Sequence, residues 1–358
     1  MVTNLKDLMN KFNDEAKCRA FLVQQRWNGS PVCPYCKGEK WYSIENGKRF
    51  KCGNNKCYKK YSVTVGTVFE GSNIPLTTWF PAMYIISAHK KGISSVQLAK
   101  DLGVTQKTAW FMLHRIRESL KDKNSTLLSG TVEIDETYMA KKFRSKYVGL
   151  SPDEVDKLNQ DQELQKKNNK GAVIGLVQRA EYTIVSRPHK NIEGKTVKEK
   201  VITKPGKIIL KAIDSISRDN IKSEAKKHIE PGTQLMTDES NLYLHSLKGY
   251  PRQSVNHSQK EWVRGNCHTN NVENVWSIMK RGIYGIYHQI STKHLQAYCD
   301  EFSYRYNSRS TQDGNRFENA LTHLEGRLKY LTLIKKEDGK ISQDKKISAY
   351  KATQKKGN

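Results

Sequence analysis

The period of the hydrophobic positions changes along the chain. From Pro75 to Leu120 apolar residues recur at helical spacing: Trp79, Met83 and Ile86, then Val96, Leu98, Ala99 and Leu102, then Trp110, Leu113 and Ile116. Ser94-Ser95 supplies a cap for a helix reaching Leu102, Gly103 supplies a turn, and Thr105 caps the next helix. Helix, short Gly-containing turn, helix is the helix-turn-helix pattern. Its second helix is expected to expose Gln106, Lys107, His114, Arg115 and Arg117. A helical hairpin that binds nothing has the same shape, so the pattern alone leaves both readings open.

Further on, the period falls to two. Thr131–Glu136 alternates apolar and polar residues and ends in Asp135-Glu136, as a strand would. Gly171–Gln178, Glu181–Arg187, Lys207–Ile213 and Thr233–Asp238 read as further strands. A helix is expected over Ile216–Ile229, a second over Asn270–Ile283 (Val272, Val275, Trp276, Met279) and a third over Thr292–Asn307 (Leu295, Tyr298, Phe302). The fold class is multidomain α+β, with a mixed sheet in the central α/β part.

Charge narrows the choice of partner. The chain of 358 residues carries 62 Lys+Arg against 36 Asp+Glu, a net +26. Such a surplus repels itself unless a polyanion takes it up, which points to nucleic acid. No run of about 18 apolar residues is present, so no membrane span is expected. The N-terminal residues Met1–Asp7 lack the apolar core of a secretory signal.

Four of the seven cysteines fall within one short stretch: Cys33-Pro34-Tyr35-Cys36, then Cys52 and Cys57. Two cysteine pairs on tight turns can direct four thiolates at one tetrahedral zinc. The zinc would be structural, since four protein ligands leave no open position. The intervening residues read as a hairpin turning at Asn46-Gly47. Around it Lys37, Lys40, Lys48, Arg49, Lys51, Lys56, Lys59 and Lys60 mix with Trp41, Tyr42, Phe50, Tyr58 and Tyr61. That mixture suits phosphate contact with stacking, or equally a small aromatic core under a solvated face. Cys18, Cys267 and Cys299 stand alone and read as small apolar residues.

Asp135 and Asp238 each end a strand, and Glu273 lies on a helix. Three such carboxylates can share two Mg²⁺ (or Mn²⁺) ions and run phosphodiester chemistry. Lys280, two helical turns after Glu273, falls on the same face and could hold a phosphate. Glu136 and Glu239 follow the two aspartates and point to opposite faces, as supports. His257 and His268 flank the third acid, as packing or capping residues or as groups that assist catalysis or touch phosphate. Exposed loop carboxylates remain the plain alternative for each acid taken singly.

The order of these features closely resembles the bacterial insertion-sequence transposases of the IS fifteen-ninety-five (ISXO-two-like) family. The residues that carry it are the cysteine ribbon, Tyr61–Phe69, the helix-turn-helix, Ile134-Asp135-Glu136-Thr137-Tyr138, Thr237-Asp238-Glu239, His268–Ile283, Tyr284–His288 and Glu301–Asn307. The likeness covers roughly residues 15–325. It implies a ribonuclease-H-like catalytic domain of the DDE type. Asp135, Asp238 and Glu273 would be its metal ligands, Lys280 its associated lysine and Asn270 the reserve for the third ligand. It also implies the reaction: water cuts a strand at the element's end, and the freed 3′-hydroxyl attacks target DNA. The ribbon and helix-turn-helix would bind double-stranded DNA at terminal inverted repeats, and the residues expected to contact DNA are Gln106, Lys107, His114, Arg115, Lys280 and Arg281. Pairing two ends implies a homodimer or larger assembly, placed in the bacterial cytoplasm with the nucleoid.

The expected domains are 1–70 (N-terminal helix and zinc ribbon), 71–125 (helix-turn-helix) and 126–330 (catalytic, with insertions near 140–170 and 187–206). A basic, disordered tail over 331–358 follows. A transposase-derived DNA-binding regulator that no longer cuts, and a ribonuclease-H-type nuclease acting on RNA, are the competing functions.

Overall fold

A computed structural model describes residues 2–122, 126–139, 171–188, 192 and 196–334. The expected insertion at 140–170 and the tail beyond 334 lie outside the described residues. The chain divides into two units: Met1–Lys121 together with the chain from Thr311, and Asp122–Ser310.

The first unit opens with helices α1 (Leu5–Lys11) and α2 (Glu15–Trp27), capped by Asn4 and Asp14. A small antiparallel sheet follows, β1 (Trp41–Ile44), β2 (Arg49–Cys52) and β3 (Lys60–Tyr61), in that spatial order. Glu45, Asn46 and Gly47 all take positive φ between β1 and β2, so the hairpin turns where Asn46-Gly47 was expected to turn it. Phe50 and Tyr61 fill the ribbon interior beneath Trp27 and Trp41, which answers the double reading of these aromatics in favour of core. Tyr42 and Tyr58 stay exposed.

Helices α3 (Leu76–Ala88), α4 (Ser95–Leu102) and α5 (Gln106–Ser119) come next. Ser94 accepts from the Gln97 N–H, Gly103 is left-handed, and Thr105 accepts from the Thr108 N–H, so both caps and the turn fall at the expected residues. α3 is nearly all buried because it is the hub of this unit. Phe80 on it meets Phe12 at 4.9 Å and Phe317 at 5.7 Å between ring centroids. Phe317 belongs to α10 (Asp313–Thr322), and α11 (Tyr330–Ile334) follows it. Residues 313–322 were expected with the catalytic segment, but they pack on α3, where Arg316 donates to the Ser87 carbonyl. The first residues assigned to a disordered tail are helical.

The second unit is built on a five-stranded sheet of β4 (Thr131–Met139), β5 (Gly171–Gln178), β8 (Ile208–Ile213), β9 (Gln234–Asp238) and β10 (Arg252–Val255). Its order is β10-β9-β4-β5-β8; β5 runs antiparallel to both neighbours, while β4, β9 and β10 are parallel. Strands β6 (Glu181–Pro188) and β7 (Thr196–Lys204) were expected in part as sheet members and in part as a basic excursion. Among the described residues they pair with each other and not with the large sheet, as a separate exposed hairpin.

Both faces of the large sheet are covered, which explains why β5 is buried along its whole length. On one face α6 (Arg218–His228, capped by Ser217) and α7 (Asn241–Ser246) pack on Val132, Ile134, Ile174, Leu176 and Leu235. On the other, α8 (Asn270–Gly282) and α9 (Leu295–Asn307) pack on Met139, Val173, Val177, Ile208 and Leu210. A π-helical turn, Ile283–Tyr287, continues α8. The isolated cysteines Cys18, Cys267 and Cys299 are all buried and read as core.

Candidate functional sites

The four ribbon cysteines converge. Their Sγ atoms all lie within 4.8 Å of one another, with Cys33–Cys57 at 3.8 Å and Cys36–Cys52 at 3.5 Å. A tetrahedral zinc with Zn–S bonds near 2.3 Å needs sulfurs about 3.8 Å apart. Tight turns build the two knuckles: Lys37 N–H donates to the Cys33 carbonyl, and the Cys57 and Tyr58 N–H groups donate to the Asn54 carbonyl. The Gly38 N–H brings the Cys36 thiol down to about 7, while Cys52 and Cys57 move up despite their own backbone N–H bonds, because burial and the neighbouring thiols favour the protonated form there. The cluster fits a structural zinc and is the one such metal-ligating group among the described residues.

The α4–α5 hairpin exposes less than the sequence suggested. Gln106 and Lys107 in the first turn of α5 are exposed; Gln106 Nε2 donates to Ser95 Oγ at 2.9 Å, and Lys107 Nζ sits 5.0 Å over the Tyr330 ring. His114, Arg115 and Arg117 are buried, at 2%, 3% and 1% exposure, so the expectation that they face a partner is corrected. The cause is packing around the whole circumference of the second half of α5. Arg115 lies over the rings of Phe111 and Trp79 and donates to the Glu70 carbonyl. Burial depresses its pKa, and its guanidinium is structural. His114 packs edge-on against Trp110, with ring centroids 4.4 Å apart.

In the second unit the sheet register brings two of the acids level. Glu133 on β4 is opposite Met236 on β9 in a parallel pair, and Asp135 and Asp238 lie two residues beyond each. Residues two apart on a strand share a face, so both aspartates point to the side covered by α8. Trp276 on that helix donates from Nε1 to Asp135 Oδ2 at 2.8 Å. Burial raises Asp135 from an ordinary carboxylate value to about 6, Trp276 opposes the rise, and the nearby Asp238 and Glu273 charges add to it. The Ser240 N–H donates to Asp238 Oδ1 at 3.0 Å.

Glu273, half-exposed one turn before Trp276, accepts from Thr269 Oγ1 at 2.7 Å and lies 3.8 Å from His257 Nε2. Lys280 sits on the same helix face, Arg281 donates to Ser277 Oγ, and Asn270 is exposed at the start of α8. Glu136 points to the opposite sheet face, as its position beside Asp135 requires, and accepts from Tyr243 OH at 2.5 Å. Burial lifts it to about 7.

Two residues essential to this arrangement were not singled out by the sequence motifs. Gly175 sits directly across from Asp135 on β5, and the Trp276 indole occupies the space a side chain there would fill. Glu133 is fully buried and accepts hydrogen bonds from the first turn of α8. A buried acid at an inward strand position was the signal that could have singled it out.

Comparison with known proteins defines the class: this is a transposase-type chain. Residues 127–307 match the ISXO2-like transposase domain, and residues 13–60 match a transposase zinc-ribbon domain. The chain belongs to the ISXO2-like transposase family. An uncharacterized protein of the transposable element ISH50 from Halobacterium salinarum is 32% identical over 131 residues, 36% of this chain. The match covers 43% of that relative's own length. Among the described residues, no helix is long and apolar enough to cross a membrane.

Proposed function

We propose that this protein is a DDE-type transposase that binds the terminal inverted repeats of its element and cuts and joins DNA at the Asp135–Asp238–Glu273 site. The observation that carries the reading is the placement of these acids: the strand register carries Asp135 and Asp238 to the sheet face covered by α8, and Glu273 stands on α8 one turn before the Trp276 that bonds Asp135. Three acids on one face of so basic a chain suit a cation, and an all-oxygen donor set suits Mg²⁺ or Mn²⁺. The antiparallel second strand within an otherwise parallel core supports a ribonuclease-H-like domain over residues 126–310.

Two ions held by the three acids would supply Lewis-acid stabilisation to the attacking and leaving oxygens of phosphodiester transfer. The protein's own groups do the positioning. Trp276 fixes Asp135, Thr269 fixes Glu273, and Lys280 holds a DNA phosphate alongside. In the first unit, Gln106 and Lys107 at the start of α5 reach base edges, as the first turn of a recognition helix does. The zinc ribbon adds phosphate contacts through its lysines. Two such chains pair the two element ends.

The test uses a labelled duplex carrying the element's own end. Asp135→Ala, Asp238→Ala and Glu273→Ala should each abolish Mg²⁺- or Mn²⁺-dependent cutting while leaving duplex binding intact. Full cutting by any of them removes that residue from the site. Tight binding with no cutting by the parent protein under either metal would make the chain a DNA-binding regulator instead.

A further inference from the structure

We infer that Glu133 is a positioning residue that sets where Glu273 stands relative to Asp135 and Asp238. The inference rests on the reading of those three acids as a metal site. Helix α8 carries Glu273 but lacks an ordinary cap: Thr269, at its N-cap, makes no capping bond with its side chain and instead donates to Glu273. The orphan N–H groups of its first turn are taken by a residue on a distant strand. Glu133 Oε2 accepts from the Asn271 N–H at 2.9 Å and the Val272 N–H at 3.1 Å. Its Oε1 accepts from Asn271 Nδ2 at 2.7 Å and from Arg179 Nε at 2.7 Å. His268 Nδ1 lies 3.3 Å from the same oxygen.

Arg179 extends the clamp. Its Nη1 donates to the Asn266 carbonyl at 2.6 Å, and its Nη2 donates to the His268 carbonyl at 2.8 Å. One carboxylate and one guanidinium thus tie the loop before α8, and the first turn of α8, to strand β4. A carboxylate at 0% exposure is costly unless fully paired, and the positive end of a helix is a favourable partner for it. The geometric consequence is specific. Glu133 and Asp135 are two residues apart on one strand face, and Asn271 and Glu273 are two residues apart at the start of α8. The clamp therefore fixes the slide of helix against strand at the point where the acids must meet. It also assigns Asn271 a partner other than a metal.

The experiment compares Mn²⁺ affinity of the zinc-loaded full chain, read by electron paramagnetic resonance of free Mn²⁺, with the Mn²⁺ dependence of cleavage. Glu133→Gln preserves volume but turns one acceptor oxygen into a donor facing donors. Loss of a group that orients a metal ligand typically weakens metal binding or activity by about 10–100-fold. We expect a weakening in that range for Glu133→Gln. The Mn²⁺ midpoint for cutting should move equally, the rate should recover at saturating Mn²⁺, and zinc content and duplex affinity should not change. Asn271→Ala, which removes one donor and leaves the carboxylate in place, should shift both in the same direction by less, and it serves if Glu133→Gln does not fold. A lowered thermal midpoint with unchanged Mn²⁺ affinity in both variants would show a merely structural role and overturn the inference. Asp135→Ala separates the two levels. If it too leaves Mn²⁺ affinity unchanged, the metal-site reading itself fails; if it alone abolishes binding, only the clamp fails.

Discussion

Replacing Gly175 by alanine should damage the site from beneath the sheet. A Cβ there would lie 2.7 Å from both Cη2 and Cζ2 of Trp276 and 3.1 Å from Cγ2 of Val272. None of these atoms is the end of a flexible chain: the indole is rigid and packed against the sheet with Val272, Val275 and Met279. Overpacking of this kind costs about 1–3 kcal/mol. For a unit of roughly 150–250 residues each kcal/mol lowers the midpoint by about 2–4 °C, so a fall of roughly 2–12 °C is expected by calorimetry. Trp276 should also be pushed off Asp135, so cutting should fall further than the stability loss accounts for. Gly285→Ala is the matched control, because a Cβ there meets nothing within 4 Å. If Gly175→Ala matched that control in both midpoint and cutting rate, the account of Trp276 as the strut of Asp135 would be wrong.

Other consequences are open to direct measurement. Burial raises folded-state Asp135 to about 6 and Glu136 to about 7, above their ordinary 3.8 and 4.5, so the folded protein holds protons that the unfolded chain has released. Without added metal, stability of the second unit should therefore fall as pH rises from about 4 to 7, and Mg²⁺ should reduce that loss; a midpoint rising with pH in chelator would contradict this. Cys36→Ser should reduce bound zinc below the one ion per chain expected by elemental analysis and unfold the ribbon, and unchanged zinc content would remove Cys36 as a ligand. Lys107→Ala should weaken duplex binding with little change in stability, whereas Arg115→Ala should lower the thermal midpoint; equal losses of DNA affinity in two fully folded variants would restore Arg115 to the interface.

Much of the framework was legible because it is written in local chemistry. Ser94 and Thr105 cap by bonds three residues on and Gly103 turns with one four residues back, and cysteine spacing specifies a knuckle without reference to the rest of the chain. The alternation at Thr131–Glu136 likewise fixed which acids share a face. Long-range burial was not legible. His114, Arg115 and Arg117 look like groove contacts in one helix, but all three are buried, and the partners of Arg115, Trp79 and the Glu70 carbonyl, come from elsewhere in the sequence. Glu133 stands 138 positions from Asn271, so its capping of α8 leaves no spacing signature. The pairing of β6 with β7 alone, rather than with the sheet, also depends on partners that alternation cannot name.

The claim that organises the rest is that Asp238 holds a catalytic metal. Replacing it with cysteine tests that claim most directly, because thiolate is a poor ligand for Mg²⁺ and a better one for softer ions. On a labelled element-end duplex, Asp238→Cys should lose cutting in Mg²⁺ and regain a measurable part of it in Mn²⁺, with duplex binding equal in both. Cutting in Mg²⁺ at the parent rate would contradict the assignment.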